Sequence, residues 1–225
     1  MIMKDTKKLL LVWLHGFAYT HKRDEAFAGK LTKALNADLF SPDAPHISDR
    51  PRGGMMWHDI PPTNGRKYHN DFLAEDTEQT KQIVDKSLEQ LKESVKYILE
   101  SVKKELAARG LDWSDVVIAG HSQGGFMAPY IALTQQKVRA AIAFGAYDIL
   151  GLISDSIKYP ETSVIWINGI GDSILSPELL KSYQPLIKKG VNVDYLEVEC
   201  RVNGHDYPSD NIIPKIAKLI ADKAR

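Results

Sequence analysis

A single cysteine, Cys200, stands among 225 residues, which excludes an internal disulfide framework and fits a reducing compartment. Charge of one sign is not in excess either. The 29 Lys and Arg balance 29 Asp and Glu, so nothing in the composition draws the chain to nucleic acid or to an anionic membrane. No apolar run approaches the ~18 residues that a membrane span requires. The run Leu9–Leu14 behind Lys7 and Lys8 imitates a secretory leader. It is shorter than the usual ~7–15 residues of such a leader's apolar stretch and stops at His15-Gly16. It reads as a buried strand, and the expected setting is cytoplasmic, with no stable membrane insertion. HExxH, Cys-rich ligand spacings, a phosphate loop and a dinucleotide fingerprint are all missing, so neither a metal nor a cofactor is expected.

What is present is the composition of an ordinary globular chain. A hydrophobic share of 44% beside 26% charged residues argues against disorder. At ~150 residues per domain the length fits one α/β domain over 1–225. Short β-rich runs alternate with helical patterns, which predicts a mostly parallel central sheet with helices on both faces. Strands are expected over 9–14, 38–40, 116–119, 138–144, 164–167 and 191–198, the last extending toward Cys200. Helices are expected over 24–36, 76–109, 126–135, 177–188 and 212–224. In the longest of these, Val84, Leu88, Leu91, Val95, Ile98, Val102 and Leu106 recur at three- and four-residue intervals, one apolar stripe that Gly110 ends. Residues 41–75 open with a Pro- and Gly-rich stretch, read as a long loop near the active site.

The chemistry centres on Gly120-His121-Ser122-Gln123-Gly124-Gly125, a G-x-S-x-G nucleophile elbow between a buried strand and a helical pattern. A serine hydroxyl is a weak nucleophile and needs a base held by a third group. In this type of fold the chain order is serine, acid, histidine. His205 is the only histidine after Ser122 and so the candidate base. Asp172 and Asp148 each follow a strand and are both candidates for the acid, Asp172 the better placed of the two. Backbone N–H groups of Gln123, directly after the nucleophile, and of Phe17, after the first strand, are the candidate oxyanion donors. In the long loop Met56 and Trp57 are candidate walls of an acyl pocket, and Leu175 joins them from the segment after Asp172.

Leu14-His15-Gly16-Phe17, Ser41-Pro42-Asp43-Ala44-Pro45, Trp57-His58-Asp59-Ile60, the elbow, Gly169-x-x-Asp172 and Gly204-His205 occur in the order seen in the phospholipase/carboxylesterase family. The chain resembles that family, which includes the acyl-protein thioesterases, over nearly its whole length. The resemblance implies an α/β-hydrolase fold, a triad of Ser122, Asp172 and His205, and oxyanion donation from Phe17 and Gln123. It implies cleavage of carboxylic esters or thioesters, with a small-molecule or lipid substrate or an acylated protein as partner, by a monomer or homodimer. A catalytically silent receptor and a peptidase are the competing readings. The chain departs from the family pattern after the first His-Gly pair, where Phe17-Ala18-Tyr19-Thr20-His21 replaces the usual glycine-containing turn. A second departure follows Asp172, where the chain reads Ser173-Ile174-Leu175-Ser176-Pro177.

Overall fold

Six consecutive apolar residues leave a strand without a solvent face, and β1 (Leu9–Leu14) lies between two neighbours inside the sheet. The computed structural model describes residues 8–50, 53–60, 78–200 and 202–223. Chain order continues through α1 (His21–Leu35), β2 (Ala37–Phe40), β3 (His46–Ile47), β4 (Met55–Met56), α2 (Glu78–Arg109), β5 (Val116–His121) and α3 (Gln123–Tyr130). After them come β6 (Ala140–Phe144), β7 (Ser163–Gly169), α4 (Pro177–Leu180), α5 (Gln184–Lys188), β8 (Val193–Val198) and α6 (Ile212–Asp222). The main sheet runs β2-β1-β5-β6-β7-β8, and all five strand pairs are parallel. The architecture is that of an α/β-hydrolase.

Side chains alternate across this sheet and build two cores. Leu10, Val12, Ile118 and Trp166 point to one face, where α2 lays Leu91, Val95, Ile98, Val102 and Leu106 against them. Leu11, Trp13, Val117, Ile142 and Ile165 point to the other, under Phe27 and Leu31 of α1 and Ile213 and Ile216 of α6. Burying Trp13, Trp166 and Phe144 completely contributes roughly 2–3 kcal/mol each before entropy is counted.

The chain winds outward from β1 in one direction to β2 and in the other to β5. Adjacent parallel strands whose connections leave in opposite directions open a crevice at their carboxyl ends. Register pairs Leu14 with Gly120, so the turn after β1 and the turn after β5 face each other across that crevice.

Four expectations need correction. Residues 41–75 are not wholly loop: β3 and β4 pair antiparallel, His46 with Met56 and Ile47 with Met55. Two-residue strands carry no periodicity that a sequence could display; residues 61–75 lie outside the described residues. The helix expected over 177–188 is two short helices with a break at 181–183, because Pro185 lacks the N–H that would continue the ladder back to Lys181. The helix expected over 126–135 starts three residues earlier and changes at its end. Pro129 removes a donor inside α3, and the chain widens into a π-helical turn over Ile131–Gln135. Cys200 is not in β8 but forms an isolated bridge with Pro208.

Candidate active site

The turn from β5 into α3 is tight enough to force Ser122 to φ +55° and ψ −114°, a conformation that costs a non-glycine residue about 1–3 kcal/mol. Backbone bonds hold it there: Ser122 N–H donates to the Phe144 carbonyl at 2.8 Å, and Phe126 N–H donates to the Ser122 carbonyl at 3.0 Å. The flanking glycines are needed for contact. A Cβ at Gly120 or Gly124 would drive into the carbonyl of Leu14 at the end of β1. Close approach of the two turns therefore comes from glycine, and it brings Phe17 and Ser122 to one cavity.

His205 Nε2 lies 2.9 Å from Ser122 Oγ, and His205 Nδ1 lies 2.7 Å from Asp172 Oδ2. The other carboxylate oxygen of Asp172 accepts the N–H groups of Ile174 and Leu175 at 2.8 and 2.9 Å. With its side chain fully enclosed, burial alone would raise the Asp172 pKa. The hydrogen bond and charge of His205, with the two backbone donors, outweigh burial and hold the carboxyl below the usual carboxylate range. An ionised Asp172 places the imidazole proton on Nδ1 and leaves Nε2 free to accept the serine proton. Gly204 lets the two loops meet, since a Cβ there would collide with the backbone of Gly171 and Asp172. Asn203 Oδ1 accepts the His205 N–H at 2.9 Å and fixes the loop.

Asp148, the other candidate acid, faces away from this relay. Its carboxylate accepts the N–H groups of Ile153 and Ser154 at 2.7 and 2.9 Å and closes the turn that follows it. Burial raises its pKa.

Three histidines with no role in the sequence reading hold the surroundings together. His121 Nε2 donates to the His205 carbonyl at 2.7 Å, and burial with the neighbouring His205 pushes its pKa down to about 3. His58 is lowered to about 4 by burial. His15 accepts the Ala44 N–H at 3.0 Å, which ties the 41–45 segment to the turn after β1; burial lowers its pKa too. Local sequence marks these as polar residues, and only their burial assigns them neutral structural roles. Both strongly shifted imidazoles have ordinary values of 6.5. The unfolded chain therefore binds more protons than the folded one as pH falls below 6.5, and stability declines in that window. Between pH 8 and pH 5 the two together should cost on the order of 4 kcal/mol of folding free energy. Urea unfolding at both pH values measures this. An unchanged midpoint would mean that the imidazoles are not buried neutral.

A cleft of about 570 Å³ opens over Ser122 and His205. Phe17, Gln123 and Leu175 line it. Gln123 starts α3, so its N–H has no partner one turn earlier within the helix, and Ala18 turns the preceding loop at φ +58°. Met56 and Trp57 do not line the cleft, which corrects the pocket expectation. Trp57 is wholly buried, with its indole N–H donating to the His15 carbonyl at 2.8 Å and its backbone N–H to Gln123 Oε1 at 2.8 Å. Gln123 Nε2 completes the clamp by donating to the His58 carbonyl at 2.6 Å. That clamp turns the 55–58 segment inward. Among the walls missed by sequence reading are Tyr19, Arg23, Ile60, Tyr147, Ile149 and Leu179, contributed by four stretches of the chain. Among the described residues no three His, Cys, Asp or Glu side chains converge as a metal site, and no helix is long and apolar enough to cross a membrane.

A family model described as Phospholipase/Carboxylesterase matches residues 2–220. Among solved structures, Arabidopsis thaliana SOBER1 superposes with a TM-score of 0.69 at 18% identity, over 97% of this chain and 100% of that one. Esterase PE8 superposes with a TM-score of 0.69 at 21% identity, over 96% and 93% of the two chains. For a carboxylesterase from Mesorhizobium loti the TM-score is 0.67 at 17% identity, over 97% and 90%. No curated protein matches the chain in sequence. At these identities the structural likenesses concern the fold.

Proposed function

The chain belongs to the phospholipase/carboxylesterase family, and from that premise we propose that it is a serine hydrolase that cleaves carboxylic esters or thioesters through an acyl-enzyme on Ser122. The observation that carries this reading is the continuous relay from Ser122 Oγ through His205 to the enclosed carboxylate of Asp172. Ser122 attacks the acyl carbon as His205 takes its proton. Asp172 holds the imidazole in the required tautomer and stabilises its positive charge. The N–H groups of Phe17 and Gln123 receive the negative charge that develops on the carbonyl oxygen, a contribution of about 3–4 kcal/mol per donor in comparable sites. His205 then protonates the leaving group, and water, activated by the same imidazole, releases the acid.

Ile60, Tyr147, Ile149, Leu175 and Leu179 form an apolar part of the cleft, which suits an acyl chain. Short to medium chains fit a cleft of about 570 Å³ better than a triglyceride. A cytoplasmic setting accords with the single thiol, Cys200, which burial pushes up to about 11 and so keeps protonated and unreactive. The experiment is a panel of p-nitrophenyl esters and thioesters of graded chain length, with fluorophosphonate labelling mapped by mass spectrometry. Label on Ser122 and faster turnover of p-nitrophenyl butyrate than of emulsified triolein are expected. An unlabelled Ser122 in active protein would refute the acyl-enzyme.

A further inference from the structure

Arg23 lines the same cleft as Ser122 and His205, and the reaction just described gives it no part. We propose that Arg23 is a specificity determinant that binds a carboxylate carried by the leaving group of the substrate. The side of the substrate rests on the hydrolase reading above; the anion site itself does not.

The guanidinium is held as a recognition group. Its Cζ sits over the Tyr19 ring, 3.9 Å from the ring centroid, a cation–π contact that anchors the charge without using an N–H donor in a hydrogen bond. Tyr19 is itself fastened, because its carbonyl accepts the Met55 N–H at 2.9 Å across a bridge to the β3–β4 hairpin. Among the described residues the one carboxylate within 4 Å of Arg23 is Asp206, at 3.8 Å. That separation is an ion pair beyond hydrogen-bond length. Asp206 holds the arginine at the cleft without consuming its donors.

The position decides what Arg23 meets. A general acid must face the leaving atom, so the leaving group extends from His205 Nε2 over the residues beside His205. Asn203 and Asp206, which flank His205 in the chain, line the cleft, and Arg23 adjoins Asp206. The apolar walls are left for the acyl chain. Asp206 also sets the charge of the ligand. One guanidinium beside one carboxylate accommodates a second, singly charged carboxylate in a shared arrangement, whereas a dianionic phosphate would leave two uncompensated charges next to Asp206. A planar carboxylate moreover matches the arginine fork with two parallel hydrogen bonds.

The test pairs 4-acetoxybenzoate with its methyl ester, which share a scissile bond and differ by one charge on the leaving group. Both are turned over by the wild type and by Arg23→Gln, and both are titrated calorimetrically into Ser122→Ala with and without Arg23→Gln. Arg23→Gln should weaken binding of the carboxylate by at least about fivefold and raise its KM correspondingly, with kcat little changed. The methyl ester should change less than about twofold. Arg23→Lys should restore part of the preference, and raising salt should erode it. Equal effects on both esters, or a carboxylate bound no more tightly than its methyl ester, would overturn the proposal. Arg23-dependent binding with no turnover of either ester would instead sink the hydrolase reading and leave the anion site standing.

Discussion

Ser122→Ala is expected to reduce ester turnover by at least about 10³-fold while the protein remains folded. The change deletes one oxygen whose hydrogen bond is to His205 Nε2, and a single such bond contributes about 1 kcal/mol to stability. Alanine keeps the Cβ of serine, so the strained backbone at φ +55° is neither relieved nor worsened. The turn is held by backbone bonds to Phe144 and Phe126, which the substitution leaves alone. Steady-state kinetics with p-nitrophenyl butyrate and a thermal melt measure the two halves of the expectation. A folded variant that retains more than a few per cent of kcat would remove Ser122 from the role of nucleophile.

The second large effect separates the two acidic residues. Asp172→Asn should lower kcat by about 10³–10⁴-fold, because an amide can present its NH2 group to His205 Nδ1. The imidazole proton would then sit on Nε2, facing the serine it should deprotonate. Asp148→Asn should behave in the opposite way, keeping activity within about tenfold while losing stability. Its carboxylate accepts two backbone N–H groups, from Ile153 and Ser154. An amide oxygen replaces only one of those acceptors, and the stranded buried donor costs about 1–3 kcal/mol. Kinetics and urea unfolding on both variants decide the matter; a dead Asp148→Asn beside an active Asp172→Asn would reverse the assignment.

The acidic limit of stability and the proposed chemistry draw on neighbouring residues. His121 donates to the carbonyl of His205, so protonating its buried ring disturbs the loop that carries the proposed base. Asp172 acts in the same direction. Its folded pKa is depressed, so the stability it contributes is present above the ordinary carboxylate range and is lost as pH falls through its folded value. Acid should therefore erode the fold and the relay together.

Much of this molecule is determined locally. The apolar run at 9–14 and the apolar-rich segment 138–144 mark strands buried on both faces. The apolar stripe from Leu91 to Leu106 determines which side of α2 meets the sheet. Gly120 and Gly124 around Ser122 mark the elbow, because only residues without a Cβ allow that turn to approach Leu14. His205 stood out as the sole histidine after the elbow. Other features depended on contacts between distant segments. Asp148 and Asp172 both follow strands, and what separates them is that Gly204 brings the His205 loop onto Asp172 while Asp148 is engaged by its own turn. Met56 and Trp57 carry the composition of a pocket wall, yet the Gln123 clamp and the His15 carbonyl draw Trp57 into the core. Arg23 lies just before the helix expected over 24–36 and carries no signal of its own in the sequence. Its place in the cleft follows from the packing of Tyr19 and Asp206, 187 residues apart in the chain. Periodicity and turn chemistry act over a few residues and are visible in a sequence, whereas the direction a loop side chain faces is decided by whichever distant partner satisfies its polar atoms.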